Sequence, residues 1–281
     1  MSSRVDAHHH VWDLAVRPQP WLAGAAFAPI RRSYAVADLA PDAAAAGIGA
    51  TVLVQTVALA EETPELLALA AADGPVAAVT GWVDLTAPSV ADDLAALRER
   101  PGGGYLRAIR HLVQDEPDPD WLSRPDVRRG LRAVAAAGLP YELLVYPHQL
   151  PAAIAAVADL PDGQFVLDHC GKPPIGASGW EPWASGIRAL AGRENLTCKL
   201  SGLVTEADWT RWTPETLRPY VDLVLATFGP RRLMYGSDWP VCLLASSYAG
   251  WVEVVDQLIA DLSDAERAAV TGDTARRVYR I

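Results

Sequence analysis

Cysteine is scarce and shows no pairing pattern. The three in this chain, Cys170, Cys198 and Cys242, are an odd number without CxxC spacing. That argues against a disulfide framework and fits buried thiols in a reducing compartment. Positive charge is also in deficit. Against 34 acidic residues there are 24 lysines and arginines, a net charge of -10, which repels polyanions and argues against nucleic acid or an anionic membrane as partner. The expected ligand is a small molecule, and homo-oligomerisation is left open. No signal-like apolar stretch follows the opening MSSRVDAHHH. Residues 43–60, AAAAGIGATVLVQTVALA, are free of charge, but Gly47, Gly49, Thr51, Gln55 and Thr56 interrupt them. They read as a helix end, a turn and a buried strand rather than a membrane span, so a cytoplasmic protein is expected. Nucleotide fingerprints (GxGxxG, Walker A) and the GxSxG nucleophile elbow are absent as well.

What is present is a regular alternation. At 51% hydrophobic over 281 residues the chain can bury a large core. Short β-branched or apolar runs recur at 4–10, 51–56, 76–84, 106–111, 141–147, 165–170, 196–202 and 232–239. Alanine- and leucine-rich helical patterns separate them, at 61–72, 89–100, 125–138, 149–159, 183–192, 214–228 and 248–261. A last helix from Ser263 opens on a capping box, with Glu266 three residues on. Eight strands alternating with helices over about 250 residues match an α/β fold of the (β/α)8 TIM-barrel type, with one domain over 1–281. A doubly wound sheet would order the same elements but lacks its nucleotide fingerprint. No linker or repeat divides the chain. The proline-rich segment at about 14–34 reads as a long, lid-like loop after the first strand.

Three of the six histidines stand together in VDAHHHVWD, residues 5–13. The triplet is embedded among Val5, Asp6, Ala7, Val11 and Trp12, which is not the polar flank of a tag. Strand side chains alternate with period two, so His8 and His10 point one way and His9 the other. In a barrel, Asp6, His8 and His10 would face the interior, with the two imidazoles at the carboxyl end of the strand, where barrel active sites form. His111 closes the fourth strand beside Arg110, His169 ends the sixth in LDHCGKP, and Asp238 ends the eighth in MYGSDWP. Buried ionisable groups are costly without partners. Convergence of these strand ends on one pocket supplies the partners. His148, beyond the fifth strand, reads as a solvent-facing loop residue, and Glu142, at the start of that strand, lies at the wrong end for chemistry. Cys170 alternates away from His169, which disfavours a Cys-His nucleophile.

The motifs DAHHHVW, RHLVQDEP, LDHCGKP, KLSGLVTEADW and YGSDWPVC, in this order and over essentially the whole chain, resemble the lactonase-like group of the amidohydrolase superfamily. Its members include L-fuconolactonase, L-rhamnonolactonase and 2-pyrone-4,6-dicarboxylate lactonase. The resemblance implies a barrel hydrolase that opens a ring ester, with His8, His10, His169 and Asp238 around the reacting centre. Asp238 is then the general base, and the carbonyl is polarised by a metal, by His169 with His8 or His10, or by Arg110. Binuclear relatives carry a bridging lysine or glutamate on the fourth strand and a histidine on the fifth. Here those strands end in Arg110-His111 and read YELLVYP, so the expectation is one divalent ion, zinc by its donors, held by His8, His10, His169 and Asp238. The group contains members that work without metal, so this ion need not be essential.

For substrate contacts, Trp12, Trp82, Trp209, Trp212 and Trp239 all fall near strand ends, and aromatic faces pack well against a sugar ring. Arg110, His111 and Lys172 are the polar candidates. A small sugar-acid lactone is the leading substrate. Decarboxylation of an aromatic acid, or hydrolysis of a non-sugar lactone or an amide, is the alternative on the same scaffold, and a catalytically silent binding protein is the third reading.

Overall fold

The computed structural model describes residues 3–72, 74–177 and 179–281. Eight strands are hydrogen-bonded in sequence order, every neighbouring pair parallel. They are β1 Arg4–His9, β2 Ile48–Val54, β3 Val76–Gly81, β4 Leu106–His111, β5 Tyr141–Leu143, β6 Phe165–Leu167, β7 Leu196–Leu200 and β8 Leu233–Tyr235. A parallel bridge between His9 and Trp239 joins the last strand to the first. The His10 amide donates to the Trp239 carbonyl at 2.7 Å and the Asp238 amide to the His8 carbonyl at 2.8 Å. This is the (β/α)8 barrel that the alternation of runs predicts. Outside it lie α1 Val36–Ala45, α2 Glu62–Ala70, α3 Val90–Glu99, α4 Pro125–Ala136, α5 Leu150–Asp159, α6 Trp183–Ala191, α7 Pro214–Phe228 and α8 Tyr248–Leu258. Of α1 the sequence pattern marks only the end, as the helix end at the start of 43–60.

The core follows the barrel's two surfaces. Between strands and helices lies the main apolar layer, and inside the barrel a smaller cluster of Val5, Ala7, Val52, Val54, Ala78, Ala108, Val166 and Met234 is closed from below by Tyr279. Residues 43–60 run from the end of α1 through Gly47, left-handed at φ +72°, into β2, and among the described residues no helix is long and apolar enough to cross a membrane. The terminal segment opens on the expected capping box: the Glu266 carboxylate accepts from the Ser263 amide at 2.9 Å. The helix then passes through a π turn over Ala269–Asp273 before ending at Tyr279.

Two details depart from strict alternation. β5, β6 and β8 are each three residues long, so the expected strand ends at 144–147, 168–170 and 236–239 lie beyond the strands, with Trp239 in the isolated bridge to His9. β1 shifts register between Asp6 and His9. Asp6 therefore does not share the inner face with His8 and His10, as period two would have it. Its carboxylate accepts from Tyr248 Oη of the outer helix α8 at 3.0 Å and from the Ser237 amide at 2.8 Å. A bulge inserts one residue and re-aims those that follow.

Candidate active site

Four donor atoms meet at the carboxyl end of the barrel. His8 Nε2 and His10 Nε2 are 3.1 Å apart. Asp238 Oδ1 lies 3.7 Å from His8 Nε2, 3.4 Å from His10 Nε2 and 3.9 Å from His169 Nε2. Both residues outside the triplet are presented by backbone in the left-handed region, His169 at φ 50° and Asp238 at φ 57°. Cys170 and Lys172 share this conformation at φ 52° and φ 51°. Non-glycine residues adopt it only where the surroundings over-determine it, and such positions cluster at functional sites. Here the sharp turns lift His169 and Asp238 off their short strands and back over the barrel mouth.

The partners constrain the imidazoles. His10 Nδ1 is 2.8 Å from the Val54 carbonyl, which only accepts, so the proton sits on Nδ1 and Nε2 faces the centre as a lone pair. His8 meets a cationic donor on each ring nitrogen, Lys199 Nζ 3.2 Å from Nδ1 and Arg110 Nη1 3.3 Å from Nε2, an environment that disfavours a charged imidazolium. Burial, with Lys199 alongside, holds the His8 pKa well below the ordinary value, and burial lowers His169 to about 4. Both rings are neutral. Asp238 is buried too, which by itself would raise its pKa, but His169, His10 and Lys172 outweigh this and hold the carboxyl below the usual aspartate value. It is an ionised carboxylate at the mouth of the barrel.

Beneath this layer lies a charged one. Lys199 Nζ contacts Glu142 at 2.6 Å and Asp168 at 3.1 Å, and Arg110 contacts Asp168 at 3.0 Å and the Gln55 carbonyl at 2.5 Å. Glu142 also accepts from Thr80 and Tyr279. All four ionic side chains are almost fully buried. Burial would raise the Asp168 pKa, but Lys199, His8 and Arg110 pull it well below the ordinary value. Asp168 and Lys199 are the members of this layer that sequence reasoning missed. Asp168 precedes His169 inside LDHCGKP, and Lys199 is a lone charge in the apolar strand LTCKL; a charge at an inward strand position is the signal that could have found both.

Above the centre opens a cavity of about 460 Å³. Of the residues expected there, His10, Arg110, His169, Lys172 and Asp238 line it, and His8 lies directly beneath. Trp12, Trp82, Trp239 and His111 are not among its lining residues. Trp12 and Trp239 are buried against Tyr34. Trp82 donates to His111 Nδ1 at 2.9 Å, and His111 is stacked on Trp121 and bonded to Glu116 at 2.7 Å. Trp212 donates to the Ala245 carbonyl, outside the lining, whereas Trp209 lines it. The expected loop at 14–34 folds into two short turns, Pro20–Ala23 and Ala25–Ile30, held by Arg31, which donates to the carbonyls of Leu22, Ala23 and Gly24. It places Trp21 and Phe27 in the cavity wall, with Phe27 packed against Trp209 at 6.0 Å between ring centroids. The lining also has polar members: Gln114, Asp115, Tyr146 and a Lys172–Glu206 pair at 3.1 Å. His148 is exposed, and Cys170 Sγ is buried against the Lys199 carbonyl.

A family model described as amidohydrolase matches residues 5–281. The chain is a member of the amidohydrolase family. Two L-fucono-1,5-lactonases are each 39% identical to it: that of Burkholderia multivorans over 99% of this chain and 96% of its own length, and that of Burkholderia ambifaria over 100% and 97%. A crystal structure of an amidohydrolase from Burkholderia multivorans with bound zinc superposes with a TM-score of 0.93, 39% identity and full coverage of both chains.

Amidohydrolase chemistry raises the question of a metal, and the donor set can be tested for fit. His8, His10 and Asp238 form one group of ligand atoms close enough to hold an ion. The separations to Asp238 and between the imidazoles bracket the edge of about 3.4 Å expected of a tetrahedron with ~2.1 Å metal–ligand bonds. His10 is ready as a ligand, since its lone pair points inward. His8 Nε2, 3.1 Å from His10 Nε2, would have to face the ion as a lone pair in the same way. A second group, His8, Asp168 and His169, already has the cations of Arg110 and Lys199 on its carboxylate, which repel a further positive ion. The site fits one divalent ion and not two.

Proposed function

We propose that this amidohydrolase opens the ring ester of a small sugar-acid lactone. The observation that carries the reading is Asp238: an ionised carboxylate among imidazole nitrogens, facing a cavity lined by both aromatic and hydrogen-bonding side chains. The full-length similarity to two L-fucono-1,5-lactonases supports a six-membered aldonolactone as the first substrate to try. A lactone needs only a base for water, charge stabilisation at the carbonyl oxygen and a proton for the leaving ring oxygen. Asp238 Oδ1 takes the proton of the attacking water and returns it to the departing alkoxide. His169 offers Nε2 to the carbonyl oxygen when its Nδ1 accepts from Ser201 Oγ, 2.8 Å away. Trp21, Phe27 and Trp209 cover one face of the ring while Gln114, Asp115, Lys172 and Glu206 receive its hydroxyls. A single ion, zinc by its nitrogen and carboxylate donors, would be held by His8, His10 and Asp238, with His169 Nε2 3.9 Å from the same carboxylate oxygen, and when bound it would polarise the carbonyl.

A pH-indicator assay of aldonolactones, L-fucono-1,5-lactone first, run with and without chelator, tests this. Acid release from one or more aldonolactones is expected. Failure across the aldonolactones, with carbon dioxide release from an aromatic acid instead, would overturn it.

A further inference from the structure

At the other end of the barrel lies a second cavity, of about 240 Å³, where the mechanism above uses nothing. It is walled by the start of β4, the turn before β5 and the chain's last residues, and three arginines line it: Arg98, Arg107 and Arg280. No carboxylate is among the lining residues, which is unexpected in a chain with net charge -10. Arg98 donates to the Ala137 carbonyl. Arg107 and Arg280 have no side-chain hydrogen bond or ion pair among the described residues, and the Arg107 Nε is buried without a partner. Elsewhere the arginines near acidic groups are paired, as Arg4 with Asp256 and Arg17 with Glu65. The rest of the wall includes Gly104 and Gly138, where a side chain would meet nothing within 4 Å. Tyr279 forms the inner end, its hydroxyl turned away to Glu142 at 2.6 Å, so the cavity is blind toward the barrel interior.

Guanidinium groups gathered without a counter-charge are the usual receptor for a planar or tetrahedral oxyanion, which they bind by paired, charge-assisted hydrogen bonds. The volume, equal to about eight water molecules at ~30 Å³ each, exceeds what a bare ion needs. We propose that this floor cavity is a binding site for a small organic anion carrying a phosphate or carboxylate group, distinct from the active site and independent of the lactonase reading.

Thermal-shift and calorimetric titrations of the full chain with inorganic phosphate and, separately, with the open-chain acid L-fuconate test it. At least one should bind saturably, and the Arg107→Gln/Arg280→Gln double variant should weaken that binding about tenfold or more while leaving lactone turnover unchanged. Arg98→Gln, on the exposed end of α3, is a second probe should the double variant fold poorly, and it should weaken the same titration. Response to phosphate alone assigns the site to phosphorylated molecules. Response to L-fuconate that the arginine variants weaken assigns it to carboxylates. No saturable binding of either anion, or binding that all the arginine variants leave untouched, overturns the proposal.

Discussion

Asp238 is the residue on which the proposed chemistry turns, and its environment makes its role testable. Substitution by asparagine keeps the size and the hydrogen-bonding shape but cannot take a proton. Turnover should fall by roughly 10² to 10⁴ with the melting temperature little changed, measured as initial rates per folded molecule. Near wild-type turnover would remove Asp238 from the mechanism. The pH profile offers a second check. Because His169, His10 and Lys172 outweigh burial and hold the carboxyl below its ordinary 3.8, the base stays ionised throughout the mildly acidic range. kcat/KM should therefore be flat from neutrality down to about pH 5 and fall only below the ordinary aspartate range. An acid limb centred near 6 would hand the base role to an imidazole. Lys199 shows how far a single buried residue reaches: placed at His8 Nδ1, it adds to burial in keeping that ring neutral, one layer below the cavity.

Two elements hold these side chains in place. The turn after β6 carries His169 against Gly202, which follows β7 at φ +66°. A Cβ there would come within 2.6 Å of His169 Nδ1 and within 2.7 Å of its Cγ, so Gly202→Ala must displace the imidazole as well as strain the backbone. Turnover per folded molecule should drop about 10²-fold, the scale of an ångström-sized misplacement; unchanged kinetics would show that His169 is not held by this contact. The other element is the β1 bulge, where Asp6 ties β1 to the Ser237 amide and to α8. Burial raises its carboxyl to about 6 despite those hydrogen bonds. Between the unfolded value of 3.8 and that folded one, the unfolded chain is ionised while the folded one still holds its proton. Asp6 therefore favours folding in acid, and its contribution declines as pH rises through about 4 to 6. Denaturant unfolding should show wild type losing stability relative to Asp6→Asn over that window and running parallel to it above. A constant difference would mean that Asp6 does not titrate there.

At the scale of the whole molecule, the barrel stacks three layers along its axis: an apolar floor sealed by Tyr279, the Lys199–Glu142–Asp168–Arg110 layer, and the histidine–aspartate mouth. The middle layer bears on metal stoichiometry, because its two cations occupy the ground where a second ion would sit. Elemental analysis of protein purified with excess zinc should give at most one equivalent per chain, and chelation should remove it without unfolding the barrel. Two equivalents would contradict the ion pairs seen at Asp168. Much of this was legible beforehand. Alternating runs exposed the barrel, and polar residues at the ends of strands one, four, six and eight marked its active end. The tryptophans were harder, because Trp12, Trp239 and Trp209 carry the same local signal. Only the course of the loop at 14–34 and of the segment after β7 decides that the first two pack beneath the surface and the third faces the cavity.

The barrel could be read from the residues alone, because hydrophobic periodicity is a local property and here it repeats eight times. The same alternation grouped His8, His10, His169 and Asp238, since each lies near or just past the carboxyl end of a strand and all such ends of a barrel share one rim. Tertiary structure alone decided the rest. Whether Asp6 faces in or out depends on a register shift against β2, which one strand's pattern does not encode. The low pKa of His8 depends on burial and on a lysine 191 residues away in the chain. The cavity's aromatic wall depends on how two loops distant in sequence meet. Periodicity reports what a residue buries; which neighbour it meets there is settled only when the barrel closes.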